Sequence, residues 1–392
     1  MRFDFNNSDW AALFRSRDNG SELFQSLVDN TPVLNLDLGW ALSQGHIADA
    51  PTPTADDGSA TFRIESSKLE AAPLMDLRAP LGESQQMDAE GAEEYVASIP
   101  DFIARGWTET AAQRAYKERM YAQLGNTDRI IANWIEKVLL RGLNSAKSTL
   151  NQIGAQLATK GKADYKGLGA GIYAKLHDAR IPAENFVKAG TKTWTDPACK
   201  ILTQMRKIED NYRDKRGGYS GALTWRMTKN MYVNTFLQNQ EVRDLYASWC
   251  KANYIAYVDG MPITNEQFLQ SFTDIQGISP IEIVTEKERN KTRTTDTMVQ
   301  GWADNIAVLR PAGDMFEFKY ANVLEREMYT KYGAKSIDTT FATMLNGLVT
   351  AMNTTTDNGR LQEWHTDVMM SATPALLSFT NHVIVNTANA GE

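Results

Sequence analysis

The sequence predicts an α+β fold, because one long amphipathic helix is combined with short apolar strands that follow no repeating βαβ order. The helix is predicted over about residues 127–158, where apolar residues recur every three or four positions. Strand patterns follow later in the chain, most clearly at residues 305–310 and 314–320, on either side of a Pro-Ala-Gly turn. Helices and strands are therefore expected to pack together in more than one layer.

Length and composition favour a globular protein of two or three domains. The chain has 392 residues, of which 42% are hydrophobic and 23% charged, so it can bury sizeable cores. Its formal net charge is -7, which disfavours a protein whose main task is tight nucleic-acid binding. We interpret the basic run at residues 287–293 as a solvated loop. Two distant cysteines exclude a disulfide scaffold and favour a reducing compartment.

The first hundred residues are poor in regular patterns. Residues 1–30 contain one short amphipathic segment that includes Trp10 and Phe14, and residues 32–105 are rich in proline and glycine. Within this stretch, residues 60–77 predict extended strands with Phe62 and Ile64 on one face. A region so poor in periodicity is expected to be stabilised by neighbouring chains more than by itself.

Helices are predicted next, at residues 108–124 and then over the long stretch that ends near residue 158. Residues 160–193 predict a glycine-rich connector. Its segment 166–172 superficially resembles a phosphate-binding loop, but it lacks both the sixth-position glycine of the dinucleotide fingerprint and the Gly-Lys-Ser/Thr ending of a P-loop. We therefore expect no phosphate site there.

The stretch after Trp194 alternates helices and strands. Asp196-Pro197 predicts a helix start, Arg216-Gly217-Gly218-Tyr219 a break, residues 222–225 a short strand and Thr228 a helix cap. A further amphipathic face contains Val242, Leu245, Tyr246 and Trp249, and residues 264–267 form a capping box. Strands are predicted at residues 280–286 and, near the end, at 375–379 and 382–386.

Catalytic patterns are missing from the sequence. The four histidines, His46, His177, His365 and His382, are isolated, and the nearest acid–base pairing is His365 with Asp367. Asp56-Asp57 and Glu93-Glu94 could bind a cation, although Asp-Asp-Gly is an ordinary turn. No nucleophile elbow or metalloprotease helix motif is present. We predict no enzyme activity, no catalytic residue, no cofactor and no metal.

The order of elements resembles the major capsid proteins of tailed bacterial viruses, most of all the family typified by the lambda shell protein. The segments that carry the resemblance are Trp194-Thr195-Asp196-Pro197 before a helix, Arg216-Gly217-Gly218-Tyr219 leading to Leu223-Thr224-Trp225, the helix pair at 228–239 and 241–246, the strand at 277–284, and Ala307-Val308-Leu309-Arg310-Pro311. Upstream, an irregular arm, an extended loop and a long helix are similar to the N-arm, E-loop and spine helix of the Hong Kong 97-type capsid fold. The resemblance spans nearly the whole chain.

This resemblance implies four regions: an N-terminal arm at 1–58, an E-loop at 59–105, the spine helix with the peripheral domain at 106–193, and an axial domain with return strands at 194–392. It also implies a subunit of an icosahedral phage head, which assembles into hexamers and pentamers and encloses double-stranded DNA without sequence-specific binding. The expected contacts between neighbouring subunits are Trp10, Phe14, Phe62 and Leu74. Deletion of residues 1–30 is expected to leave a foldable subunit that forms no regular shell.

The implied partners are copies of the chain itself, a separate scaffolding protein, a portal and a decoration protein, with no membrane. The implied location is the virion, with assembly in the bacterial cytoplasm, and the sequence shows no secretory signal or membrane-spanning run. Lys68 is the only lysine of the E-loop region and has no assignable partner, so we expect non-covalent assembly. Two alternatives stay open: an encapsulin-like compartment that encloses cargo protein, and a soluble enzyme of unknown type.

Overall fold

A computed structural model describes most of the chain. The described residues are 13–15, 19–34, 39–53, 60–69, 92–104, 106–123, 128–164, 176–258, 261–263, 268–269, 277–284, 288–291, 296–299, 301–332, 338–357 and 362–390. Trp10, Leu74, Asp56-Asp57, the phosphate-loop-like segment 166–172 and the capping box at 264–267 therefore lie outside the described residues.

Helices and strands alternate irregularly, which confirms the α+β prediction. The helices are α1 (Gly20–Asp29), α2 (Gly39–Ser43), α3 (Ala111–Gln123), α4 (Asp128–Trp134, Ile135–Leu140 and Arg141–Lys160), α5 (Ile201–Asp214), α6 (Lys229–Met231 and Tyr232–Phe236), α7 (Gln240–Ala252) and α8 (Leu324–Tyr332). The strands are β1 (Gly45–Ile47), β2 (Ala60–Ser66), β3 (Glu93–Ile99), β4 (Asp101–Ile103), β5 (Trp107–Glu109), β6 (Lys162–Asp164), β7 (Leu176–Asp178), β8 (Phe186–Ala189), β9 (Leu223–Thr228), β10 (Ile281–Val284), β11 (Glu288–Lys291), β12 (Asp296–Val299), β13 (Ile306–Pro311), β14 (Phe316–Tyr320), β15 (Asp338–Met344), β16 (Val349–Asp357), β17 (Gln362–Leu376) and β18 (Val383–Ala390).

The larger sheet has seven strands in the order β1-β14-β17-β16-β15, with β4 and β5 also paired to β17. The smaller sheet has five strands in the order β10-β9-β13-β18-β8. Strands β2 and β3 form a separate antiparallel hairpin, in which Phe62 lies opposite Ala97. The short strands β6 and β7 and the strands β11 and β12 form two further antiparallel pairs.

Helix α4 packs against the larger sheet and builds the first core. The predicted apolar stripe of this helix is confirmed, since Leu139, Leu150 and Ile153 are fully buried. Gly142 is required for close approach, because a Cβ at this position would lie 2.5 Å from Val368 Cγ2 of β17. The helix contains a wide π turn at Ile135–Leu140 and ends at Gly161, whose positive φ of 68° suits glycine.

Helices α5 and α7 pack on the smaller sheet and build the second core. Trp225 and Leu309, which pair across β9 and β13, are buried beneath Met205 and Val242 of the two helices. Glu209 of α5 is buried as well, and its carboxylate accepts hydrogen bonds from Trp225 Nε1 and from the Ser279 amide and hydroxyl. Charge-assisted hydrogen bonds of this kind offset the cost of burying the carboxylate.

Helix α5 begins at Ile201, which corrects the predicted start at Asp196-Pro197. The Asp196 carboxylate instead accepts a hydrogen bond from the Ala198 amide and forms a local turn. The first turn of the helix is capped by Glu241 of α7, which accepts from the Leu202 amide at 2.8 Å and from Thr203 Oγ1 at 2.6 Å. The helix start thus depends on a carboxylate that lies far away in sequence.

Two other predicted boundaries were wrong. The strand predicted at 375–379 is the end of the 15-residue strand β17, and Phe379 belongs to a short 3₁₀ turn that follows Ser378 in the left-handed region at φ 51°. The helix predicted from residue 108 begins at Ala111, because Trp107–Glu109 pair with β17. By contrast, β9, β13 and β14 and the Thr228 cap are confirmed, the last by a 3.1 Å hydrogen bond from the Met231 amide.

The proline-rich region is partly held by its own chain. Strand β1 pairs with β14, and β4 pairs with β17, so these segments extend the larger sheet of the same subunit. The expected stabilisation of residues 32–105 by neighbouring chains stays a prediction, to which these pairings within the subunit are added. In the described part of the molecule, no helix has the length and apolar character needed to cross a membrane.

Candidate functional site

The β2–β3 hairpin is fixed at one end by a polar contact that we term the hairpin base, formed by residues 66–69 and the turn Phe379–Asn381. The side-chain amide of Asn381 donates to Ser67 O at 2.8 Å and accepts from the Leu69 amide at 2.9 Å. Thr380 Oγ1 lies 2.7 Å from Ser66 Oγ and donates to Ser67 O at 3.0 Å. Because Thr380 and Asn381 are fully buried, these bonds are shielded from water.

The same turn is held from its other side by the smaller sheet and α5. Arg216, just after α5, donates to Thr380 O and to Asn381 Oδ1, each at 3.3 Å. Asn185 donates to Thr380 O at 2.8 Å, and the Tyr212 hydroxyl donates to Asn381 O at 3.3 Å. The turn therefore connects the hairpin to the second core.

One face of the hairpin is packed inside the subunit. Phe62 makes edge contacts with the rings of Tyr95 and His177, and Tyr95 in turn packs on Phe379 at 5.1 Å between ring centroids. The Tyr95 hydroxyl accepts a hydrogen bond from the Leu376 amide at 2.8 Å. Phe62 thus makes its contacts within its own chain.

Phe14 is also buried within the chain. Its ring stacks on Trp364 with centroids 4.2 Å apart and makes an edge contact with Trp134. The backbone oxygen of Phe14 accepts from Thr355 Oγ1 at 2.9 Å. Phe24, Leu27 and Val28 of α1 are buried in the same core. Residues 13–15 and 19–28 therefore belong to the folded subunit, so deletion of residues 1–30 would remove part of its core; the foldable deletion variant stays a prediction.

A contrasting surface follows α7. In the segment we call the apical loop (described residues 254–258 and 261), four apolar side chains face solvent: Tyr254 is 98% exposed, Val258 64%, Met261 54% and Ile255 39%. Tyr254 also adopts a positive φ of 55°, which is uncommon for a bulky residue. Clustered exposed apolar side chains are typical of protein–protein contacts. The sequence interpretation missed this loop, although its run of apolar residues after a helix end was visible.

The histidines do not converge. His177 and His382 are buried, and burial lowers the pKa of His177 to about 4 and that of His382 to about 3. His46 lies 2.8 Å from an Asp314 carboxylate oxygen near the surface, and His365 contacts Thr108 and Thr356. Burial raises the pKa of the Asp367 carboxyl, and the nearby charge of His365 opposes that shift. Among the described residues, no cluster of three or more His, Cys, Asp or Glu side chains could hold a metal ion.

Other residues singled out from the sequence also make local contacts. Glu94 pairs with Arg63 across the hairpin at 3.1 Å, and Lys68 pairs with Glu184 at 3.5 Å. Cys199 and Cys250 are free and buried, and burial raises the pKa of the Cys199 thiol to about 11. Each of these contacts can be explained by the fold alone.

Comparison with known proteins rests on structure. No family model matches this sequence, and no curated protein sequence matches it either. A crystal structure from E. coli CFT073, of a protein described as a prophage capsid protein, matches over 93% of this chain and 98% of its own, with a TM-score of 0.52 and 12% sequence identity. The chain has the fold of a phage capsid protein. This confirms the predicted capsid fold.

Two further structures resemble the chain more loosely. A phage-related protein from Bordetella bronchiseptica RB50 is 10% identical, with coverage of 94% of this chain and 96% of its own and a TM-score of 0.43. The capsid of cyanophage A-1(L) is 8% identical, with coverage of 89% and 92% and a TM-score of 0.42.

Proposed function

We propose that this chain is the structural subunit of an icosahedral phage head, which self-assembles into hexamers and pentamers around double-stranded DNA. This proposal rests on the capsid fold, which matches a prophage capsid protein over 93% of this chain and 98% of that one. Identical subunits that contact one another through unlike surfaces form closed assemblies only when the rotation from each subunit to the next returns to the first one.

Two surfaces support a role in assembly. The exposed face of the hairpin carries Val96, which is half exposed, beside the Arg63–Glu94 ion pair. The apical loop presents Tyr254, Val258 and Met261 to solvent. In the proposed shell the apical loop packs against the next copy around a five- or six-fold axis, which removes this apolar surface from water.

The charge, the partners and the regions of the chain are part of the same proposal. The net charge of -7 suits a wall that encloses DNA without adhering to it. The subunit acts without catalysis, in the virion, after assembly in the bacterial cytoplasm with a scaffolding protein, a portal and a decoration protein. Its four regions are an arm at 1–58, an E-loop at 59–105, a spine helix with peripheral domain at 106–193 and an axial domain at 194–392. The apolar side chains of Trp10 and Leu74 are expected to contact neighbouring subunits.

Analysis of particle contents tests this function. Fast-sedimenting particles that contain the chain are isolated from the bacterium that carries its gene, treated with nuclease, and analysed for enclosed DNA and, by mass spectrometry, for protein. We expect shells of this chain that protect double-stranded DNA and hold no cargo protein in fixed proportion to the subunit. A stoichiometric cargo protein would instead identify an encapsulin-like compartment, and a homogeneous monomer in every fraction would contradict both.

A further inference from the structure

The face of the smaller sheet that points toward α4 carries three basic side chains. Val308 of β13 pairs with Arg226 of β9 on one side and with Ile384 of β18 on the other. Since side chains alternate along a strand, Arg226, Arg310 and His382 share the face of Val308. His382 shows that this face of the sheet points toward α4, because its Nε2 lies 2.7 Å from Ala158 O in that helix.

Both arginines are buried, with Arg226 3% and Arg310 2% exposed. Arg226 donates from Nε to Glu282 Oε2 at 2.8 Å and from Nη2 to Gln44 Oε1 at 3.1 Å. Arg310 donates from Nη2 to Asp314 O at 2.6 Å and from Nε to Pro311 O at 3.3 Å. In the described part of the molecule, Nη1 of each guanidinium is buried and lacks a hydrogen-bond acceptor.

The charges of the buried side chains between the smaller sheet and α4 do not balance. Glu282 is the carboxylate that contacts Arg226, whereas Arg310 is bonded to two backbone oxygens and to no carboxylate among the described residues. The Asp314 carboxylate is turned to the surface and pairs with His46. A buried cation normally requires a counter-charge, because burial otherwise favours loss of the charge. Among the described residues, the two guanidinium groups therefore have one carboxylate in direct contact, and Asp314 and Glu282 attract Arg310 only at longer range.

Protonation does not restore the balance near neutral pH. Burial, followed by the neighbouring charge of Arg226, lowers the pKa of Arg310 to about 9, so the guanidinium is still charged at pH 7. His382 stays neutral there, since burial and the nearby arginines lower its pKa to about 3. Because Nε2 faces a carbonyl oxygen and must carry the proton, the bare Nδ1 contributes no positive charge.

We propose that the layer between the smaller sheet and α4 binds one small inorganic anion, of the size of chloride, through the Nη1 groups of Arg226 and Arg310. The layer is enclosed by buried side chains, which favours a small ion over an organic anion. Such an ion supplies the missing negative charge and joins the two cores, because Arg226 also bonds Gln44 next to the larger sheet. This site is independent of the proposed role in a phage head.

Thermal unfolding of the purified full-length chain tests the site. The unfolding temperature is measured in sodium chloride and in sodium gluconate at equal ionic strength and pH. We expect a saturating rise of about 2–4 °C with chloride, which binds the folded state, and no such rise with gluconate. Arg310→Met should abolish the difference between the salts, while Arg63→Met, at an exposed site with the same loss of charge, should keep it. Equal unfolding temperatures in both salts would overturn the proposal.

A second measurement on the unmodified protein decides the matter if Arg310→Met does not fold. Crystals are soaked in bromide, and anomalous scattering locates the ion. A peak within hydrogen-bond distance of Nη1 of both Arg226 and Arg310 supports the site. Bromide peaks at the surface alone, with water or no density between the two guanidinium groups, would refute it.

Discussion

The hairpin base and the apical loop differ in whether their side chains find partners within the subunit. At the hairpin base, Asn381 and Thr380 are fully buried and bond to three separate parts of the chain. In the apical loop, Tyr254, Val258 and Met261 expose more than half of their surface. The first region is complete in a single subunit, whereas the second leaves apolar surface in water.

This difference separates contacts that fold the subunit from contacts that remain for a partner. Substitutions at buried, bonded positions should lower the free energy of unfolding, because they leave polar groups unpaired or create cavities. Substitutions in the apical loop should leave that free energy almost unchanged and alter association instead. Substitutions at matched buried and exposed positions test this distinction.

The largest expected effect on stability comes from Phe14→Ala, which should lower the free energy of unfolding by about 3–5 kcal/mol because it leaves a cavity beside Trp364 and Trp134. Urea unfolding followed by tryptophan fluorescence measures it. The matched control is Phe186→Ala, at a half-exposed phenylalanine, which should cost far less. Equal costs at the two positions would place Phe14 outside the subunit core.

Asn381→Ala should lower the free energy of unfolding by about 2–3 kcal/mol, because it leaves the Leu69 amide of the hairpin base unpaired and removes one of the two hydrogen bonds to Ser67 O. Hydrogen exchange should show lost protection in β2 and β3 before the rest of the fold opens. Asn234→Ala, at an exposed asparagine, is the control and should change neither quantity measurably. Unchanged hairpin protection in Asn381→Ala would show that the hairpin base does not fix the hairpin.

Acid should weaken the hairpin side of the molecule, because His177 lies under the hairpin and His382 follows its base. Both pKa values are lowered on folding, to about 4 and about 3, so unfolding takes up protons and stability falls as pH drops below the unfolded value of 6.5. Between pH 6 and 5, each histidine should lower the free energy of unfolding by about 1.4 kcal/mol per pH unit.

The variant His382→Gln isolates one of these contributions, since glutamine can still donate to Ala158 O but does not titrate. Urea unfolding is measured at pH 7.5, 6 and 5. The free energy of unfolding should depend less steeply on pH in the variant, because unfolding takes up about one proton fewer. Identical slopes for wild type and His382→Gln would mean that His382 is charged in the folded state.

The smallest expected effect on stability is in the apical loop. The combined change Tyr254→Asn, Val258→Ser and Met261→Ser should alter the free energy of unfolding by about 0.5 kcal/mol or less, because these side chains are exposed and asparagine tolerates the positive φ at position 254. The same variant should lose association measured by analytical ultracentrifugation. Val233→Ser, at another partly exposed apolar position, should keep it.

Much of the fold was readable from sequence periodicity. The stripe of α4 and the alternation of Phe316, Phe318 and Tyr320 in β14 reflect burial on one face, which requires only local pattern. The start of α5 was not readable, because Glu241 of α7 supplies its cap from 39 positions away. The length of β17 depends likewise on four partner strands, three of which, β4, β5 and β14, are distant in sequence.

The candidate site was less predictable than the fold. The resemblance implies that Phe14 and Phe62 contact neighbouring subunits, yet each is buried by rings from distant segments of its own chain. Trp10 and Leu74 lie outside the described residues, and their role stays a prediction. The apical loop was missed because exposure is a property of the folded chain, and its apolar sequence alone suggests a core segment.

Electron microscopy of assembled particles shows whether the apical loop joins neighbouring subunits in a shell. Purified wild-type chain is concentrated under assembly conditions, imaged and averaged, beside the apical-loop variant Tyr254→Asn, Val258→Ser, Met261→Ser. We expect closed shells of uniform diameter for the wild type, with residues 254–258 and 261 buried between copies around the five- and six-fold axes, and folded, unassembled subunits for the variant. Wild-type shells in which the apical loop faces solvent, or a variant that forms the same shells, would contradict this expectation.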